Sequence, residues 1–363
     1  MKYSSEFRDP AVARKLVAAI GDVVAGHDGT LTFMEVCGTH TMAIYQHGIR
    51  SLLPPQVRLI SGPGCPVCVT PVDYVDHAVA LARRPETIIA TFGDMVRVPG
   101  SSSSLQQEQA AGADIRIVYS PLDAVALAQK IPERQVVFLG VGFETTAPTI
   151  AGALLHAQAL GLENFCVLGA HKTIPGPMAI LADDPDLQVD GYLCPAHVSA
   201  VIGADAYRPL ARDHGVPCVV TGFEPLDVLQ GILMLARQAR AGRAEVETQY
   251  SRIVRPGGNP KAREILYRVF APCDARWRGI GPIPASGLTI REEFADFDAA
   301  RRLPADVEPP REHAGCRCGE ILKGKIGPAD CPLFAAACTP ENPVGACMVS
   351  SEGTCAAAYK YGI

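Results

Sequence analysis

Eight short runs rich in β-branched and aromatic residues recur through the first two-thirds of the chain. They are TFMEV (32–36), VRLIS (57–61), TIIATF (87–92), DIRIVY (114–119), QVVFLGV (135–141), FCVLGA (165–170), DGYLC (190–194) and PCVVTG (217–222), separated mostly by text of helical periodicity. Strands that alternate with helices predict parallel sheets covered on both faces. A chain of 363 residues, 48% hydrophobic, is long enough for two or three cores and too apolar for wholesale disorder. The spacing of the runs is uneven, and residues 137–155 and 218–235 echo each other as strand, Gly-Phe-Glu, helix. Two doubly wound α/β domains flanking a cleft are therefore expected, with a single eight-stranded barrel as the alternative. The boundaries are placed at 1–120, 121–243 and 244–363, the last a mixed helical and irregular region. Upstream, Asp9 and Pro10 mark the start of an amphipathic helix over 9–25. Past residue 243 the text is helical around 259–270, then Pro/Gly-rich and irregular through the lone tryptophan, Trp277.

Composition narrows the function classes. A net charge of -5 and a pI near 6.0 give no general attraction for nucleic acid or an anionic membrane. The longest apolar runs, such as 136–143, fall far short of the ~18 residues of a membrane-spanning helix. Charges are scattered through the first 15 residues, where a signal peptide would carry its apolar core, so a cytoplasmic protein is expected. In such a compartment 13 cysteines, six of them within the last 48 residues, point to metal ligation or redox chemistry rather than to structural disulfides.

In an open parallel sheet the residues just past the strand ends line the ligand crevice. Here those residues are Cys37-Gly-Thr-His40-Thr, Gly62-Pro-Gly-Cys65-Pro-Val-Cys68, Gly93-Asp94 and Gly142-Phe-Glu144-Thr-Thr. Cys65 and Cys68 form a CxxC at a strand-to-helix turn, where the helix N-terminus favours a thiolate and suits dithiol/disulfide exchange or metal capture. A structural zinc half-site would need a second such pair, and the chain has no other CxxC. Cys37, with His40 three residues on, has the makings of an accessible thiolate beside a proton donor. Glu144 and Glu224 are placed to move protons or, as the simpler role, to cap the following helices. Thr145 stands where a dinucleotide-binding loop needs its third glycine, and there is no Walker A sequence, so nucleotide binding is set aside. Cys166, Cys194 and Cys218 read as core residues; Cys273, His171 and His197 carry no assignment.

The tail holds the strongest signal. Cys318, Cys331, Cys338 and Cys355, or the same series begun at Cys316, offer four thiolates spread over about 40 residues, with Cys347 left over. Spacings this long are unlike the short hooks of zinc ribbons, and Cys331-Pro332 is familiar from iron–sulfur loops. A [4Fe–4S] cluster is favoured over zinc, and the CxxxCxxC loop of radical enzymes is absent.

The strings CGTHT (37–41), GPGCPVC (62–68), GFETTAP (142–148) and the cysteine-rich tail, in this order over essentially the whole chain, closely resemble the HypD family of hydrogenase maturation factors. That resemblance implies a scaffold, rather than a conventional turnover enzyme, on which the Fe(CN)2CO fragment of [NiFe]-hydrogenase is assembled. The small chaperone HypC would be a partner and HypE the cyanide donor. Carried onto this sequence, Cys37 would bind the transient iron with His40 beside it. Cys65 and Cys68 would be a redox pair at the cleft, and the tail would hold the [4Fe–4S] cluster that exchanges electrons with them. The rival reading is an iron–sulfur-linked thiol–disulfide oxidoreductase in which Cys37 is incidental.

Overall fold

The structure is a computed structural model that describes residues 5–362. All eight expected strands form: β1 (Leu31–Glu35), β2 (Val57–Ser61), β3 (Thr87–Thr91), β4 (Asp114–Ile117), β5 (Gln135–Gly140), β6 (Phe165–Gly169), β7 (Gly191–Pro195) and β8 (Cys218–Thr221). They assemble into two parallel sheets, so the barrel alternative is discarded. A short β9 (Val246–Thr248) extends the first sheet, whose order is β2-β1-β7-β8-β9; the second has the order β4-β3-β5-β6. Both sheets are buried on both faces, and alternate residues enter different cores. In β1, Leu31 and Phe33 face the helices Pro10–Val24 and Pro225–Arg240, while Met34 turns to a central core shared with Val137 and Leu139 of β5. Val136 and Phe138 of β5 face an outer layer that includes the helix Ala147–Ala159.

The expected helix at residue 9 forms as Pro10–Val24. The Asp9 carboxylate accepts from the backbone N–H of Ala11 at 2.7 Å, satisfying an otherwise unpaired donor of the first turn. Two expectations need correction. A boundary at 120 falls between β4 and β5, which belong to one sheet, and one at 243 separates β8 from its neighbour β9. The first sheet is instead built from residues 31–61 and 191–248, with the second inserted between them. The supposedly irregular stretch around Trp277 is an antiparallel hairpin, β10 (Phe270–Trp277) and β11 (Gly281–Ile290). Its tight end is made possible by Gly279 and Gly281 at φ 74° and 105°, conformations that side chains resist.

The tail, from residue 315 on, has only short helices and turns, and it is bound to the rest at many points. Lys325 bridges Asp184 at 2.9 Å, Arg97 donates to the carbonyl of Pro340, and the helix Thr354–Tyr361 packs on the helix Gly38–Gln46. Among the described residues no helix is long and apolar enough to cross a membrane.

Candidate functional site

Cys37 closes β1 and is the residue before the helix Gly38–Gln46. Its neighbours hold it closely. Its backbone N–H donates to Oε2 of Glu35 at 3.2 Å, and Gly38 N–H donates to the carbonyl of Gly64 at 3.0 Å, tying the CGTHT turn to the GPGC loop. The tail covers the other side, where Thr39 Oγ1 donates to Oε1 of Glu352 at 2.7 Å. Cys37 keeps some solvent contact, yet burial pushes its thiol up to about 12, and the Glu352 carboxylate adds to the shift. The backbone N–H groups of Thr39 and His40 pull the other way. Cys37 is thus a protonated thiol at neutral pH rather than the free thiolate expected from its position. Metal binding at this sulfur would require displacement of that proton.

His40 does not serve as that thiol's proton donor. Its ring is fully buried, and Nε2 donates to the carbonyls of Thr221 and Gly222 at 3.1 and 2.9 Å. Burial lowers its pKa to about 4, so it is neutral and fixes the CGTHT helix to the end of β8.

Cys65 caps the short helix Pro66–Val69 and is joined to Cys68 as a disulfide, with Cα atoms 5.3 Å apart. Both are buried. Cys68 Sγ lies 3.9 Å from the carbonyl of Ala346, so the pair abuts the turn that carries Cys347. In the tail all six cysteines, including Cys316, Cys318 and the unassigned Cys347, line one apolar cavity with Ile321, Leu333, Phe334 and Met348. This all-sulfur donor set, in an apolar shell, fits an iron–sulfur cluster. Among the described residues no three His, Cys, Asp or Glu side chains group tightly enough to grip one ion; the thiols are spread around the cavity wall.

With this geometry in hand, comparison with known proteins is specific. The HypD family model, described as the hydrogenase formation hypA family, matches residues 11–362. The chain belongs to the HypD family. It is 51% identical to the hydrogenase maturation factor HypD of Azotobacter vinelandii, over 100% of this chain and 97% of that protein. Identity is 47% to HypD of Rhodobacter capsulatus, over 100% and 98%, and 45% to HypD of Escherichia coli (strain K12), over 99% and 98%.

The third motif string that carried the HypD resemblance, GFETTAP, follows the end of β5 in the second sheet. Glu144 is 2% exposed; Oε1 accepts from Ile174 N–H at 3.0 Å and Oε2 has no partner among the described residues. Neither it nor Glu224 caps its helix, since Glu224 pairs with Arg8 instead. Burial raises the Glu144 pKa to about 7. The folded state therefore holds this proton more tightly than the unfolded chain. The resulting stability is fully present below pH 4.5 and is lost as pH rises through 7, amounting to roughly 3 kcal/mol at about 1.4 per pH unit. Glu144→Gln should remove that contribution to the slope: urea midpoints between pH 5 and 8 should decline less with pH than in wild type. Equal slopes would mean that Glu144 is solvated.

Sequence patterns missed several residues now seen at the site. Glu35 lies under Cys37, fully buried, with its pKa raised to about 7 by burial. Its only signal was a carboxylate inside an apolar strand. Glu352, three residues before Cys355, sat unnoticed among the tail cysteines. Cys194 and Cys218 are packing residues as expected, buried side by side on β7 and β8, and Cys166 is buried in β6.

Proposed function

We propose that this chain acts in [NiFe]-hydrogenase maturation, in the cytoplasm, as the scaffold on which the Fe(CN)2CO fragment is assembled with HypC and HypE. The observation that carries this reading is the continuity of three sulfur groups. Cys37 is tied through Gly38 and Gly64 to the Cys65–Cys68 turn, and Cys68 touches the turn leading into the six-cysteine cavity. Iron bearing cyanide and carbonyl ligands is the cargo, and a soft sulfur donor suits it. Cys37 supplies that donor, giving up its proton as the metal binds; Glu35 and Glu352, on either side, are its nearest carboxylates. Cys65 and Cys68 become two further thiols when their bond takes up two electrons and two protons. Four of the tail cysteines, Cys331, Cys338 and Cys355 with Cys318 or Cys316, would hold a [4Fe–4S] cluster, which supplies single electrons when bound. His40 and Thr39 hold the CGTHT turn in place, and burial of Glu144 keeps a proton available near neutral pH.

The test compares wild type with Cys37→Ala, each purified anaerobically with the HypC partner, by infrared spectroscopy of the cyanide and carbonyl stretching region. The bands should be present in wild type and absent from the variant. Bands that survive in Cys37→Ala would overturn the assignment of Cys37 as the iron's thiol; a wild type without bands would instead favour the iron–sulfur-linked thiol–disulfide oxidoreductase, for which the disulfide packed against the cysteine cavity is the supporting observation. A colourless, zinc-loaded wild type would remove the cluster from either reading.

A further inference from the structure

The hairpin tip between β10 and β11 is wedged between the two sulfur centres. Arg278, at that tip, is 6% exposed and makes two bonds to the end of the CxxC helix: its backbone N–H to the carbonyl of Val69 at 2.9 Å and Nε to the carbonyl of Thr70 at 2.8 Å. Neither terminal guanidinium nitrogen has an acceptor among the described residues, and Nη2 is sealed from solvent. The facing carboxylate is that of half-exposed Glu312, 4.0 Å from Nε. Arg278 lines a cavity of about 580 Å³ together with Cys316 and Cys318. Beside it, Gly279 and Gly319 touch backbone to backbone; a Cβ on Gly279 would lie 2.1 Å from Gly319 Cα, which fixes the tip against the start of the cysteine-bearing helix.

A buried, always-charged group with unsatisfied donors is costly unless negative charge faces it. Thiolate ligation in the neighbouring cavity supplies such charge, and so does electron uptake. We propose that Arg278 is the counter-cation shared by the Cys65–Cys68 pair and the tail cysteines, a positioning residue that biases both toward their electron-rich forms. This rests on the redox role assigned above to those two groups. Its first half needs no metal: reduction breaks the Cys65–Cys68 S–S bond and forms two thiols, with two electrons and two protons taken from a dithiol that closes to its own disulfide, and the Arg278 charge draws the couple to the reduced side by holding one of the two sulfurs as a thiolate whose proton goes to the buffer.

The experiment equilibrates the full-length protein, as isolated anaerobically, in dithiothreitol buffers of graded potential and traps free Cys65 and Cys68 with a maleimide. Arg278→Gln should shift the dithiol/disulfide constant about tenfold toward the disulfide, equivalent to about 30 mV for two electrons. Arg278→Lys, which keeps the charge, should recover most of the shift. Glu312→Gln removes the opposing carboxylate from a half-exposed position, so it tests the same field without disturbing the core, and should move the constant the other way. An electron-resonance titration of the metal-loaded protein should show the cluster potential moving with the same signs. Unchanged constants in Arg278→Gln and Glu312→Gln would overturn the proposal and leave Arg278 a packing peg. A wild type that carries zinc would sink the cluster reading while the dithiol shifts still decide the role of Arg278.

Discussion

Gly64→Ala is expected to cost more than 4 kcal/mol or to leave the chain unable to fold around Cys37. A Cβ at this position would lie 2.1 Å from Cys37 N, 2.4 Å from Cys37 Cα and 2.4 Å from the carbonyl carbon of Val36. All three are backbone atoms, so no side-chain rotation relieves the contact. The alanine forces β1 and the GPGC loop apart and breaks the Gly38–Gly64 hydrogen bond. Losses of this size come from few mechanisms, and a backbone overlap in a closed core is one of them. Gly152→Ala is the matched control: this glycine lies within the helix Ala147–Ala159 and its added Cβ would meet nothing within 4 Å. That change should be neutral or stabilising by up to about 1 kcal/mol. Urea unfolding followed by circular dichroism reads both, and a Gly64→Ala protein within 1 kcal/mol of wild type would show that the two loops are not in contact.

The second large effect is expected at Trp277. Its side chain is 1% exposed, Nε1 donates to Ser286 Oγ at 2.8 Å, and the ring stacks on Phe143 with centroids 6.0 Å apart. Lys172 Nζ lies 5.7 Å from the ring centre, over its face. Trp277→Ala should lose about 3–5 kcal/mol, from lost burial plus the cavity left behind. Trp277→Phe should recover most of this, remaining about 1 kcal/mol short for the missing hydrogen bond. Since Phe143 belongs to the GFETT loop and Arg278 follows Trp277 directly, the alanine variant should also loosen the CxxC turn. Faster maleimide labelling of Cys65 and Cys68 under reducing conditions checks that. Trp277 is the only tryptophan, so circular dichroism rather than intrinsic fluorescence must follow the unfolding.

Much of the fold was legible because strand and helix signals here are local. A run such as VRLIS needs only its own residues to announce β2, and Asp9-Pro10 to announce a helix start. Strand partnership is not local: nothing in Asp114–Ile117 says that it joins β3 rather than β2, which is why a boundary at 120 looked reasonable. The β10–β11 hairpin escaped notice because it carries residues that normally break strands: Pro272 and Pro282 lie in the ladder opposite Leu288 and Arg276, and the register shifts after Cys273. At the site, chemistry-bearing residue types were visible but their surroundings were not. The direction of the His40 ring depends on carbonyls 181 and 182 positions away, and the high pKa of Cys37 depends on enclosure and on a carboxylate from the tail. Arg278 had no sequence signal, because its importance lies in a buried guanidinium nitrogen that has no acceptor among the described residues.

The insertion of one sheet within the other has a consequence for synthesis. The strands of the second sheet, β3 to β6, occupy one unbroken stretch and take their sheet neighbours from one another, so the sheet can close while later residues are still being made. The pair β1 and β2 has no such freedom. Phe33 pairs with Leu59 of β2 early but finds its second neighbour only when Gly191 emerges, and until then β1 presents an open, apolar edge. Cys37, at the tip of that waiting strand, takes its final surroundings only after β7, β8 and the tail have arrived. Closure of the corner around Cys37 is thereby placed late in folding, and an immature chain lacks it.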